Sequence, residues 1–393
     1  MLHETCENNQ PNPAPLERLA MGKRATEKTQ PAVKLPDAAW RARFRRRLRS
    51  WYAAHARDLP WRRSRDPYAI WISEVMLQQT QAAAVGPYYR RFCAAFPTIE
   101  ALAAAGEQDV LRLWEGLGYY RRARDLHAAA RLIVARHGGR FPRDAAAVRA
   151  LPGIGRYTTG AILSIAFDAR EPILEANTAR LFSRLLAYRG PVGSAPAGRI
   201  LWALAEAVLP RRGAGAFNQA LMELGSQVCT PKAPRCACCP IAPLCRAHAL
   251  GIQAETPQAK PRPAFEQLHE AALVVRRGGR VLIVRRPAGG RWAGLWDFPR
   301  YQIDRQPAEA LFPFLRQRLR EHTGVDAQPG AHLARLRHGV TRFRITLDCY
   351  TARFLTAAER GPDSAELAWA TPGRLNECPL SSTGRRLAEL VAG

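Results

Sequence analysis

Residues 225–245 read GSQVCTPKAPRCACCPIAPLC, and in them Cys229, Cys236, Cys239 and Cys245 are spaced C-x6-C-x2-C-x5-C. A further cysteine, Cys238, sits between two of the four. Thiolates this dense can form bridges, ligate zinc or hold an iron–sulfur cluster. The N-terminus carries no secretory signal and the composition is that of an intracellular protein, which sets disulfides aside. A metal centre is the better reading, and ligand count alone does not separate zinc from iron–sulfur.

Outward from that loop, the 393-residue chain carries 59 Lys plus Arg against 33 Asp plus Glu, a formal net charge of +26. Such an excess attracts a polyanion, and counterions released from phosphates would supply much of the affinity. The length leaves room for two domains with their own cores. No run of 18 apolar residues occurs, so no membrane-spanning helix is expected.

Residues 1–37 hold five prolines and no apolar periodicity and read as a disordered tail. Met21 opens a second start, and Glu4, Glu7 and Glu17 argue against a transit peptide. From Trp40 the helical period takes over. Trp40, Phe44, Leu48, Trp51, Tyr52 and His55 share one face, with arginines crowding the other. Helices are expected over Ser73–Ala84, Arg121–His137, Tyr157–Phe167, Ala179–Tyr188 and Gly213–Gln227, with breaks such as Gly86-Pro87, Phe96-Pro97 and Gly138-Gly139. Residues 38–250 therefore read as all-α. Residues 251–268 carry three prolines and no periodicity, as a linker does. Beyond them, Glu270–Val275 and Arg280–Arg285 read as a hairpin about Gly278-Gly279. Pro307–His322 reads as a helix, Arg335–Tyr350 as strand and Ser382–Val391 as a closing helix, an α+β domain over 269–393.

Two motifs inside the helical part carry chemistry. Leu151-Pro152-Gly153-Ile154-Gly155-Arg156-Tyr157-Thr158 is a glycine-punctuated turn ahead of a helix. Gly153 and Gly155 let backbone amides approach a ligand, and the helix N-terminus favours an anion. In Trp71-Ile72-Ser73-Glu74-Val75-Met76-Leu77-Gln78-Gln79-Thr80-Gln81, Glu74 is a lone carboxylate in an apolar run. Desolvation there would raise its pKa and suit it to donate a proton.

Together these features resemble the endonuclease III / MutY family of DNA glycosylases. The cysteine spacing is similar to that family's [4Fe–4S] loop, which implies Cys229, Cys236, Cys239 and Cys245 as cluster ligands. The glycine turn resembles the helix-hairpin-helix that grips a DNA phosphate. Where the strand-cleaving branch has a lysine, this chain has Tyr157, so imine chemistry is not expected. SEVMLQQTQ resembles the MutY-type adenine DNA glycosylases, which implies Glu74 as the acid that protonates a flipped adenine. The family's cation-stabilising aspartate falls on Glu175, in Ile173-Leu174-Glu175-Ala176-Asn177-Thr178, with alanine in place of a glycine. Asn177 is implied to order that carboxylate, and Tyr157 to lie beside it. Arg57, Trp61 and Arg62, then Gln78, Gln79 and Thr80, then Leu117 and Tyr119, match the family's DNA-handling positions.

Arg291–Pro299 (RWAGLWDFP) resembles the family's Nudix-like C-terminal domain. In Gln317–Val325 only Glu321 remains of the magnesium-binding acids, which implies recognition and not hydrolysis. The lesion-reading phrase falls on His338–Phe343, where Thr341 keeps a hydroxyl between Val340 and Arg342. The resemblance thus implies a monomeric bacterial, cytoplasmic enzyme of base excision repair. It would remove adenine mispaired with 8-oxoguanine or guanine in double-stranded DNA without cutting the strand. The rival readings are an endonuclease III-type glycosylase/lyase and a non-catalytic iron–sulfur DNA-binding protein.

Overall fold

A computed structural model of the chain describes residues 34–258, 264–303, 307–358 and 365–392. The tail expected over residues 1–37 lies outside them up to residue 33. Among the described residues no helix is long and apolar enough to cross a membrane.

Helix α1 (Ala38–His55) starts on Asp37, whose carboxylate takes the Trp40 N–H at 2.7 Å. Helix α2 (Pro67–Leu77) is capped by Asp66, with proline in its first turn. Every residue from Ile70 to Met76 is buried, so α2 runs through the core with no solvent face. The single helix expected over Ser73–Ala84 is in fact two: the chain turns at Gln78–Thr80 and resumes as α3 (Ala82–Ala95). The reason lies far along the chain. Arg122 donates to the carbonyls of Val75 and Met76 at 2.9 and 3.0 Å, and to that of Gln78. Two of those carbonyls are the acceptors that the N–H groups of residues 79 and 80 would need to prolong the helix. The break expected at Gly86-Pro87 lies inside α3, where the proline removes one hydrogen bond and the helix continues.

The helical part continues with α4 (Ile99–Ala104), α5 (Glu107–Trp114), α6 (Arg121–His137), α7 (Ala145–Arg149), α8 (Arg156–Phe167), α9 (Ala176–Leu186), α10 (Ala195–Val208), α11 (Ala214–Gln227) and α12 (Arg246–Ala249). Gly138, at φ 57°, ends α6 in the left-handed conformation that a C-terminal cap needs. Helix α9 begins three residues earlier than its pattern suggests, because Glu175 caps it. The arginine face of α1 is not all solvated: Arg45 donates to the carbonyls of Ala207, Val208 and Leu209 at the end of α10.

Among the described residues, the remainder is built on one seven-stranded sheet. Its strands are β1 (Glu266–Arg277), β2 (Arg280–Arg285), β3 (Trp296–Asp297), β4 (Arg300–Gln302), β5 (Val325–Val340), β6 (Phe343–Ala357) and β7 (Leu367–Ala370). The main order is β3-β2-β1-β6-β5, with β4 paired to β1 and β7 to β2; β1 and β6 run parallel. Gly278 and Gly279, both at positive φ, form the two-residue turn between β1 and β2. Strand β1 opens inside the segment expected as linker, and the single strand expected over Arg335–Tyr350 is a hairpin of β5 and β6 turning at Thr341-Arg342. Alternate residues of β1 serve two cores. Ala271, Leu273 and Val275 pack toward Leu315 and Leu319 of α13 (Leu311–Thr323). Ala272 and Val274 pack toward Leu387 and Val391 of α14 (Ser382–Ala392). Among the described residues of this part, fully buried Leu295 belongs to the core of the helical part, and part-buried Trp292 packs against it.

Candidate active site

Glu74 faces α8 from the middle of α2 and is 4% exposed. The Tyr157 hydroxyl, on the first turn of α8, donates to Glu74 Oε2 at 2.8 Å and lies 3.2 Å from Met222 Sδ. Burial pushes the Glu74 carboxyl up to about 7; the neighbouring Glu175 adds to this, while the Tyr157 hydrogen bond and Arg62 oppose it. At neutral pH the group is thus divided between acid and carboxylate, which is the balance a proton donor needs. Burial and the two carboxylates also push the Tyr157 phenol well up, so it stays a neutral donor.

Glu175 is the N-cap of α9. Its Oε2 accepts from the Asn177 N–H at 2.7 Å and its Oε1 from the Thr178 N–H at 2.8 Å, while Thr178 Oγ1 accepts from the Glu175 N–H at 2.8 Å. This capping box pins both carboxylate oxygens and puts the charge on the positive end of a helix. The longer side chain is therefore taken up by a local capping geometry, and Ala176, the first helical residue, needs no glycine conformation. Asn177 orders Glu175 through its backbone N–H; its side-chain oxygen instead accepts from Arg180 Nη2 at 2.9 Å. Burial raises the Glu175 carboxyl, against the pull of those two N–H groups.

Arg57 and Arg62, expected among the DNA-handling positions, are part-buried and converge on one acid. Arg57 binds Glu223 through Nε at 2.7 Å and Nη2 at 2.8 Å, and Arg62 Nη2 reaches the same carboxylate at 2.8 Å. The Glu223 side chain is fully buried, and its two arginines hold its carboxyl down at about 2 against the opposing effect of burial. Trp61 and Leu117 are also core residues. Gln79 and Tyr119 are exposed, both at positive φ (57° and 48°). Gln78 Nε2 donates to Thr158 Oγ1 at 3.3 Å, and Thr80 Oγ1 to the Gln78 carbonyl at 3.4 Å. Sequence reasoning missed Glu223 and Arg122; an acid in an otherwise apolar helical run, Met222-Glu223-Leu224, was the available signal for the first.

Gly153, at φ 73°, and Gly155 form the turn between α7 and α8, both exposed, with Leu151 and Ile154 anchoring it in the core. No side chain caps α8, which leaves its first amides available to an anion. Thr341 lies on the exposed tip of the β5–β6 hairpin at φ 51°, its hydroxyl donating to the Val340 carbonyl at 2.7 Å. Glu321 accepts from Gln317 and Arg318, both at 2.8 Å.

Cys229, Cys236, Cys239 and Cys245 line one cavity with Leu181, Leu185 and Ile241, whereas Cys238 is exposed. Arg184 Nη1 reaches Cys229 Sγ at 3.2 Å, and backbone N–H groups of Ile241 and His248 point at Cys239 and Cys245. Burial raises the thiols of Cys236, Cys239 and Cys245. Among the described residues no three His, Cys, Asp or Glu side chains close on a single ion; the thiols surround a space.

An apolar helical scaffold presents a buried acid, a pinned carboxylate and an uncapped helix N-terminus, and carries a sheet domain beside them; this is the layout of a helix-hairpin-helix base-excision enzyme. Residues 72–203 match the HhH-GPD superfamily of base excision DNA repair proteins, and residues 271–390 match the NUDIX domain. The adenine DNA glycosylase of Rattus norvegicus is 34% identical over 399 residues, covering 88% of this chain and 77% of its own length. That of Homo sapiens is 35% identical over 370 residues, covering 80% and 67%. A solved thermostable thymine-DNA glycosylase superposes with a TM-score of 0.50 at 30% identity, over 54% of this chain and 98% of its own. The chain belongs to the adenine DNA glycosylase family.

Proposed function

We propose that the protein flips adenine mispaired with 8-oxoguanine or guanine out of double-stranded DNA and hydrolyses its N-glycosidic bond. The observation that carries this reading is the pair of unlike carboxyls. Glu74 is kept partly protonated by burial and held by Tyr157, while Glu175 is fixed by two backbone amides. Glu74 gives its proton to the base, most favourably at N7, and the electron pair of the breaking bond leaves with the neutral adenine. The Glu175 carboxylate stabilises the oxocarbenium-like sugar until water adds, its released proton passing to the Glu74 carboxylate. Tyr157 offers no amine, so the strand survives until alkali. A single-turnover assay on duplexes with adenine opposite 8-oxoguanine or guanine should give breaks only after alkali. Breaks without alkali would point to a lyase, and no released adenine to a binding protein.

The Glu175 assignment has its own test. Glu175→Gln should slow single-turnover excision about a hundredfold while duplex affinity holds, because a charge aimed at the transition state is lost. Full-rate excision by that variant would end the assignment.

The four thiols suit a [4Fe–4S] cluster: they surround a space instead of closing on one ion, and amides and Arg184 offset their charge. Bound there, the cluster would tie the chain after α11 to α12 and supply no chemistry to the base. Purified protein should carry about four irons per chain and visible absorbance, and Cys239→Ser should lose both. Colourless protein containing zinc would overturn the ligand assignment and leave the Glu74 mechanism standing. Thr341 would read the opposing base through its hydroxyl, a reading supported by its exposure on the hairpin tip. The uncapped start of α8 with Gly153 and Gly155 would take a backbone phosphate, which fixes register without reading sequence.

A further inference from the structure

The loop that carries Leu117 and Tyr119 is held at both ends by arginines. At its start, Glu115 accepts from Arg385 through Nε at 2.7 Å and Nη2 at 2.9 Å, and from the Leu380 N–H at 3.2 Å. The two side chains are 16% and 9% exposed. Arg385 lies on α14, and its other contacts, to the carbonyls of Leu375 and Cys378 and to Asn376 Oδ1, fix it to its own part of the chain. At the loop's far side, Arg122 Nη2 takes the carbonyls of Leu117 and Gly118, both at 3.3 Å, while Nη1 takes those closing α2, the helix of Glu74. The Arg122 guanidinium also stands 5.5 and 5.4 Å from the centres of the Trp114 and Tyr119 rings.

Contacts therefore run without a gap from α14 through Glu115, the 116–118 loop and Arg122 to the catalytic helix. The two turns along this line each hold a non-glycine residue in the left-handed region, Gln79 and Tyr119. Such conformations persist only where the surroundings over-determine them. A part-buried, bidentate arginine–carboxylate pair fixes one geometry more than it adds stability.

We propose that Arg385, Glu115 and Arg122 are positioning residues that make proton transfer at Glu74 depend on how the C-terminal part is seated. The link rests on the reading of that part as the sensor of the base opposite adenine. Seating on 8-oxoguanine would be passed to α2; seating on guanine would be passed less well.

The test measures single-turnover excision of adenine opposite 8-oxoguanine and opposite guanine, with rates normalised to active protein. Wild type, Arg385→Met, Glu115→Gln and the double variant are compared. Each single variant should lose about fivefold or more of the preference for the 8-oxoguanine duplex, with the guanine duplex changed by less than about twofold. The double variant should be no worse than Glu115→Gln, which by itself breaks the Arg385 pair and the 3.4 Å contact from Arg112. Thermal melting shows which variants fold, and the near-isosteric Glu115→Gln carries the test if Arg385→Met does not. Retained preference, equal loss on both duplexes, or losses that multiply would overturn the link. Wild-type protein with no preference would overturn the sensor reading and the link together, an outcome separable from preference kept by the variants.

Discussion

Glu74→Gln is expected to slow adenine release by between about 100- and 10,000-fold, the range that a positioned general acid supplies, with mismatch binding intact. The amide keeps the shape and still accepts from the Tyr157 hydroxyl, so loss of the proton is isolated from loss of the site. In the wild type the rate should fall about tenfold per pH unit above about pH 7, where the raised Glu74 carboxyl has given up its proton, and the variant should lack that limb. The same shift has a cost in stability, and its sign is fixed. Between 4.5 and about 7 the folded state keeps a proton that the unfolded chain has released, so stability falls as pH rises through that window. Above it, the buried carboxylate costs roughly 3 kcal/mol. Thermal melting should show Glu74→Gln more stable than wild type at about pH 8, with the advantage gone near pH 4. A variant equally stable at both would mean that Glu74 is not the strained acid described, and undiminished excision would remove it from the reaction.

Glu223→Gln is expected to cost about 3–5 kcal/mol, a fall in melting temperature on the order of 10 °C. Arg57 and Arg62 would remain packed against a neutral amide, and a buried charge left without its partner is costly. The carboxyl is held down at about 2 against an ordinary 4.5. Its contribution is therefore present above about pH 4.5 and lost as pH falls from there toward 2. Melting curves across that range should show wild type and variant converging in acid. A variant within 1 °C of wild type at neutral pH would mean that the two arginines find solvent and that the buried triad adds little stability.

Much of the candidate site was legible because the residues proposed for its chemistry are compressed into short phrases. Glu74 among apolar neighbours, Tyr157 after the glycine turn and the cysteine spacing can each be read without knowing where the chain goes. The supporting residues cannot. Arg385 and Glu115 meet across 270 residues of chain, and Arg122 is one of many arginines with nothing local to distinguish it. The break in the helix after Leu77 was missed for the same reason: its cause is a guanidinium from α6, and propensity favours continuing. The acid that Arg57 and Arg62 share, Glu223, lies more than 160 residues further on, so their pairing was invisible in the local phrase. In the sheet, alternate burial of β1 on two faces turns the period-two pattern into a continuous apolar run, which hides register but still marks a strand.

Leu295 belongs by sequence to the sheet domain and by packing to the helical one, and around it Gln108 and Arg124 donate to the carbonyls of Gly294 and Ala293. The consequence concerns modularity. A chain cut at the linker would leave an apolar socket in the helical half and two stranded donors at its rim, so the two halves are not interchangeable cassettes. A C-terminal domain transplanted from a relative would have to bring its own leucine to that socket, and the sequence around residues 291–296 is tied to α5 and α6 as closely as to its own sheet.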